Sequence, residues 1–170
     1  LNRKVAFIDK EGRIKPCGGA VPPRLIKDFD IPETQIVAKI TTARMISPTA
    51  RKVDIPIENG YVGMVDRENF DEFLRNRAKA AGAHRYTGTF LSVLRKSGEN
   101  FVAVVFKEKN SLKEITLKTK LIIGADGARS NVARAEVPGG KTIPYVIAYH
   151  EIIEAPKNSQ YDPDRCDVIY

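Results

Sequence analysis

The stretch Leu121-Ile122-Ile123-Gly124-Ala125-Asp126-Gly127-Ala128-Arg129-Ser130 decides how the rest of the chain is read. An apolar run, predicted to be a strand over 121–123, breaks into a glycine-rich turn carrying one carboxylate. Ser130 then opens a segment, 130–135, predicted to be a short helix. Open α/β sheets bind their ligands outside the carboxyl ends of such strands, where loose backbone N–H groups and a helix start meet anionic groups. Gly124 and Gly127 remove side chains that would obstruct a cofactor. Asp126 can accept hydrogen bonds from hydroxyls, or it can order the turn as a cap, and spacing alone leaves both readings open.

Upstream, Val5 to Ile8 form a short apolar run ending on Asp9, the pattern of a buried parallel strand with a carboxylate at its carboxyl end. The segment from Gly12 to Pro23 is too rich in Gly and Pro for regular structure. A short helix is predicted over 24–29. Residues 37–65 read as β, with strands over 39–46, 51–57 and 61–65 separated by turn residues. The clearest helix is Asp66 to Ala81: Asp66 serves as N-cap, Phe70, Phe73, Leu74, Ala78 and Ala81 share one face, and Gly82 stops it. Strands follow over 87–95, 100–107 and 114–117. Residues 142–154 are predicted to contain a long strand, and 166–170 begin another. The pattern implies an α/β core with an inserted antiparallel β-sheet.

The 170 residues suffice for a domain with a real core, burying roughly 70% of the unfolded surface. A net charge of +7 favours anionic partners, but Lys and Arg are scattered and form no tail. Cys17 and Cys166 make neither a disulfide framework nor a zinc motif, so a reduced, intracellular setting is expected. No apolar stretch approaches the ~20 residues that span a bilayer. The chain lacks an initiator Met and stops on an apolar run, and both ends read as the interior of a longer protein.

Gly124-Ala-Asp-Gly-Ala-Arg-Ser130 resembles the Gly-x-Asp-Gly-x-x-Ser motif of flavoprotein monooxygenases and their reductase relatives, and Arg134 fits the downstream arginine. Lys15-Pro-Cys-Gly-Gly-Ala20, Ile31-Pro32, Gly63-Met-Val-Asp-Arg67, Ala148-Tyr-His-Glu151 and Tyr161-Asp-Pro-Asp-Arg-Cys-Asp167 narrow the likeness. Together they resemble, along essentially the whole chain, the geranylgeranyl reductases of the (bacterio)chlorophyll pathway.

The resemblance implies an internal portion, 1–170, of one FAD- and NAD(P)-binding domain, its Rossmann-like core incomplete and its substrate-side β-region beginning near 142. It implies FAD reduced by NADPH and saturation of geranylgeranyl double bonds to the phytyl chain. The substrate would be geranylgeranylated (bacterio)chlorophyll or geranylgeranyl diphosphate. A cytoplasmic location, peripheral to the photosynthetic membrane, would follow. By the same likeness Asp9 binds the adenosine ribose, and Gly124, Asp126, Gly127 and Ser130 serve the FAD pyrophosphate and nicotinamide coenzyme. Arg67 supplies charge to a phosphate at a helix start, and Cys17 lies near the reacting alkene, where a thiol can donate a proton. The Gly-x-Gly-x-x-Gly fingerprint would precede Leu1, and a further Gly-Asp motif and an aromatic channel segment would follow Tyr170. The isolated stretch is therefore expected to be inactive.

An aromatic monooxygenase of the same superfamily shares the Asp-Gly motif, although the Pro-Cys-Gly-Gly loop favours the reductase. A basic module binding membrane or nucleic acid is a different class of reading. The few aromatics are not interleaved with basic residues as in base-stacking platforms, so no nucleic acid is expected. His150-Glu151-Ile-Ile-Glu154 has Glu where a zinc-protease signature needs its second His, and no metal site is expected. His84 reads as a surface residue.

Overall fold

The structure is a computed structural model that describes residues 3–12, 17–154 and 161–170. Ile14, Lys15 and Pro16 of the Pro-Cys-Gly-Gly region lie outside the described residues. The chain forms two compact units, Leu1–Arg13 with Arg75–Ile147, and Ile14–Leu74 with Ala148–Tyr170.

The first unit is built on a four-stranded sheet ordered β1-β7-β8-β9, made of β1 (Ala6–Asp9), β7 (His84–Arg95), β8 (Val102–Glu108) and β9 (Glu114–Thr119). β1 runs parallel to β7, with Asp9 opposite Thr87, and the other pairs are antiparallel. The parallel direction agrees with the sequence expectation; the burial does not. β1 is half-buried at best, because it pairs on one side only and Val5 before it is exposed. β8 is central, and Val104, Val105 and Phe106 are buried in succession. Phe106 is fully enclosed, meeting the edge of Tyr86 at 5.3 Å between ring centroids. A Cβ on Gly88 would lie 2.6 Å from the Lys107 carbonyl oxygen, so this crossing of β7 and β8 needs a glycine. The ladder slips between Phe90 and Ser92, a bulge in β7.

The second unit holds two three-stranded sheets. One, ordered β2-β6-β3, joins β2 (Ala20–Val21), β6 (Val62–Met64) and β3 (Ala38–Ile40) in antiparallel pairs. The other, ordered β10-β4-β5, sets β4 (Thr42–Ile46) antiparallel to β5 (Lys52–Pro56) and parallel to β10 (Arg165–Ile169). The core of this unit is Val21, Ile31, Val65 and Phe70, with Ile26, Ile36 and Phe73 packed against it. The short α1 (Pro23–Asp28) begins on prolines, whose fixed φ suits a first helical turn.

The long helix α2 (Arg67–Ala80) keeps both expected signals. Asp66 Oδ1 accepts from the Glu68 N–H at 3.0 Å, and Oδ2 accepts from Asn69 Nδ2 at 2.7 Å. At the other end Gly82, at φ +95°, donates to Lys79 O, and Ala83 donates to Ala78 O. That pair of bonds is a Schellman motif, which releases the chain directly into β7. Of the expected apolar face, Phe70 is buried and stacks with Phe73 at 6.3 Å, whereas Leu74 and Ala81 are exposed. A six-residue helix, α3 (Asn131–Glu136), completes the list of helices among the described residues, beside one 3₁₀ turn at Glu33–Gln35.

Two expected strands do not form. Residues 121–123 and 142–154 are without regular structure, and Leu121, Ile123, Val146, Ile147 and Ile152 are largely exposed. A strand needs a second backbone for its ladder, and no described segment pairs with either run. Pro144 also deletes a donor within the second. No helix among the described residues is long and apolar enough to cross a membrane.

Phe106→Ala empties the best-filled position of the first unit. It is expected to cost about 3–5 kcal/mol, read as a lowered urea midpoint at unchanged slope. A loss below about 1 kcal/mol would mean the site collapses onto the cavity.

Candidate functional site

Asp9 closes β1, and its carboxylate is reached by Arg75 from α2, 66 residues away in sequence. Nε of Arg75 donates to Asp9 Oδ2, and both side chains are mostly covered. The other oxygen, Oδ1, is buried and has no hydrogen-bond partner among the described residues. A charged acceptor in that state is costly unless some hydroxyl or N–H completes it. The position suits a ligand donor at the carboxyl end of a strand.

In the 124–130 turn the Asp126 carboxylate orders the backbone. Its Oδ2 accepts from the backbone N–H of Asn131 at 2.7 Å and of Val132 at 3.3 Å, and Oδ1 accepts from the Ser130 hydroxyl. Ser130 Oγ in turn accepts from the Ala133 N–H at 2.9 Å, the N-cap bond of α3. Burial pushes the Asp126 carboxyl up, but the Ser130 hydroxyl and the Val132 and Asn131 amides more than offset it, and the net shift is downward. Gly127, at φ +87°, has open space where a Cβ would stand, so its backbone is bare to an approaching group. Gly124 serves packing instead: a Cβ there would press on the Val132 side chain at 3.0 Å.

In the second unit the chain from Cys17 to Val21 is fastened to β6. Ala20 pairs with Met64, and the Val65 N–H donates to Gly19 O at 2.9 Å. Gly19 sits at φ +76°, and a Cβ on it would fall 2.2 Å from the Val65 carbonyl oxygen. This fastening sets the exposed Cys17 beside the start of α2. The Gly19 amide lowers the thiol pKa most, burial works against it, and the Arg67 guanidinium lowers it further. The Asp71 charge raises it, and the net direction is down. Arg67 itself is forked onto Asp71 one turn along, Nε to Oδ1 at 2.9 Å and Nη2 to Oδ2 at 3.0 Å.

Cys17 and Arg67 both lie in the second unit. Asp126, Gly124, Gly127 and Ser130 share one turn of the first unit, which also contains Asp9. Sequence reasoning missed Asp71 and Arg75. The i, i+4 spacing of Arg67 and Asp71 was a visible signal; nothing in the sequence pairs Arg75 with Asp9. His84 lies exposed at the start of β7. Among the described residues no cluster of His, Cys, Asp and Glu could hold a metal.

Residues 30–147 match the family model described as FAD binding domain. The chain is 62% identical over 168 residues to a geranylgeranyl diphosphate reductase of Rhodobacter capsulatus, covering 98% of this chain and 42% of that protein. It is 38% identical to the chloroplastic geranylgeranyl diphosphate reductase of Nicotiana tabacum, covering 85% of this chain and 33% of the relative. A digeranylgeranylglycerophospholipid reductase of Methanocaldococcus jannaschii is 32% identical, with 76% and 33% covered. The chain thus spans less than half the length of the curated relatives it matches. In fold it is similar to a geranylgeranyl bacteriochlorophyll reductase-like protein of Thermoplasma acidophilum. The TM-score is 0.75 at 23% identity, covering 98% of this chain and 44% of the other.

Removing the cap with Ser130→Ala is expected to cost about 1 kcal/mol in thermal or urea unfolding. Asp126 has its folded pKa below its unfolded one, so its stabilisation is present at neutral pH and is lost as pH falls through the folded value. The stability gap between wild type and Asp126→Asn should accordingly close on acidification. A gap constant down to acid pH would show that the carboxylate charge contributes nothing.

Proposed function

This chain belongs to the FAD binding domain family, and from that premise we propose that the whole protein is an NADPH-dependent reductase saturating double bonds of a geranylgeranyl chain. The observation that carries the reading is 62% identity to the Rhodobacter capsulatus reductase over 98% of this chain.

The residues present fit a bound FAD. The buried, unpartnered Oδ1 of Asp9 is an acceptor beside the oxygen that Arg75 holds, an arrangement suited to a ribose hydroxyl. Gly127 offers bare backbone to a pyrophosphate, while Asp126 and Ser130 hold the turn around it. Gly124 lets the turn close on α3. Arg67 has N–H groups beyond the two bonded to Asp71, and these supply positive charge for a phosphate. FAD held there would supply two-electron hydride chemistry.

The protein's part is to orient the chain, exclude water and provide the proton for the neighbouring carbon. Cys17 is the proposed donor. Its thiol is exposed on a loop, and its conjugate base would be met by the Gly19 N–H and by Arg67. The substrate is proposed to be either a pigment ester or the free diphosphate of geranylgeraniol. The basic composition, +7, would favour contact with an anionic membrane surface.

The test uses the full-length protein. It should carry FAD that NADPH bleaches without oxygen, and the product should gain a pair of hydrogens at each reduced double bond. Hydrogen peroxide or a hydroxylated product under oxygen would favour the monooxygenase, and absence of flavin would end the reading. Asp9→Asn is expected to weaken FAD binding by roughly tenfold or more, the scale of a charge-assisted hydrogen bond.

A further inference from the structure

Asp9 has one oxygen held and one open. Nε of Arg75 donates to Oδ2, while Oδ1 is buried without a hydrogen-bond partner among the described residues. The Arg75 and Asp9 side chains are 13% and 20% exposed, against 91% and 49% for the surface pair Arg24–Asp28. Covered charges cost desolvation that the pair must recover, and an oxygen left without a donor adds to that cost. The geometry is the one expected of a carboxylate kept ready for a donor that arrives with a ligand.

The surroundings hold Arg75 on this carboxylate. α2 ends in the Gly82 turn, and the His84 N–H donates to Val5 O at 2.8 Å, so the helix end is tied to the sheet that carries Asp9. Glu11, the carboxylate just past the end of β1, has Arg85 at 3.4 Å and Lys109 at 3.5 Å as its own cations. Arg85 also donates to Oδ1 of Asn76, the neighbour of Arg75 on α2, at 3.4 Å.

We propose that Arg75 is a positioning residue for the adenosine half of the flavin. By holding Oδ2 it fixes the plane of the Asp9 carboxylate and leaves Oδ1 aimed as the acceptor for a ribose hydroxyl. This role rests on the reading of Asp9 as the ribose acceptor, and Arg75 itself touches no part of the cofactor. Its contribution is preorganisation: a carboxylate free to rotate has to be ordered when the ligand binds, and one pinned in advance does not.

A merely structural pair behaves differently. Breaking a pair that only steadies the unit weakens every flavin alike, or lowers the melting temperature alone. Breaking a pair that aims Oδ1 weakens only ligands that carry the adenosine ribose.

The experiment is titration of the flavin-free full-length protein with FAD and with FMN, which lacks the adenosine half, read by flavin fluorescence. Arg75→Gln is expected to weaken FAD roughly tenfold, the scale of one charge-assisted hydrogen bond, and to leave FMN within about twofold. Arg75→Lys keeps the charge on a freer stem and should recover part of the loss. In the Asp9→Asn background, Arg75→Gln should cost nothing further, because the two residues act through one group.

An Arg75→Gln variant that binds FAD as tightly as wild type, or loses FAD and FMN equally, overturns the proposal. Should Arg75→Gln not fold, Asp9→Asn is compared with the double variant, since neither leaves a charged Asp9 unpaired. Matching FAD affinities uphold the positioning, and a further loss in the double variant overturns it. A wild-type protein that binds no flavin overturns the functional reading and this role together. A wild type that binds FAD while Arg75→Gln binds it equally well overturns this role alone.

Discussion

A backbone amide taken out of water has to find an acceptor, and that requirement decides which apolar runs of this chain become strands. β8 lies between two antiparallel neighbours and carries the buried Val104, Val105 and Phe106. Residues 121–123 and 142–154 are as apolar and β-branched, yet they form no ladder with any described strand. The same requirement fastens Gly19 to Val65 and so sets Cys17 against α2. Side-chain chemistry in the site follows from where backbone pairing is available.

What could be read in the sequence was local. Asp66 and Gly82 bracket α2 because a cap oxygen and a positive φ act within a turn of their own position. Ser130 before α3 is legible for the same reason. The hairpin strands β7 and β8 were found within a few residues by alternation and turn residues. The missing strands at 121–123 and 142–154 failed for the converse reason: apolar composition permits a strand, but a partner distant in sequence creates it. The exposed half of the expected α2 face, Leu74 and Ala81, failed similarly, since periodicity says what can be buried and not what arrives to bury it.

The candidate site divides along the same line. The Gly124–Ser130 turn carries its own geometry, and Asp126 and Ser130 could be named from spacing because their partners are the next amides of the chain. Asp9 could be placed at a strand end, but its ion pair with Arg75 depends on a helix 66 residues on. Arg67 was visible as a charge at a helix start. Its fork onto Asp71 is foreshadowed only by the i, i+4 spacing of the two residues.

The connectivity of β1 and β7 has a consequence for how such a chain can change. These two strands are parallel neighbours, and the path between them includes all of Ile14–Leu74, the larger part of the second unit. Lengthening a connection costs little, about 0.6 kcal/mol for each doubling of a flexible loop, so the β1–β7 register is insulated from what is hung between them. The insulation is not complete, because β10 returns from residues 165–169 to pair with β4 inside that unit. The smallest exchangeable module is therefore two passes of the chain. Recombination that swaps residues 14–74 without 148–170 leaves β4 with a foreign neighbour. Diversification of the half bearing Cys17 must proceed by paired exchange or by point substitution, while the half bearing Asp9 and Asp126 stays constant.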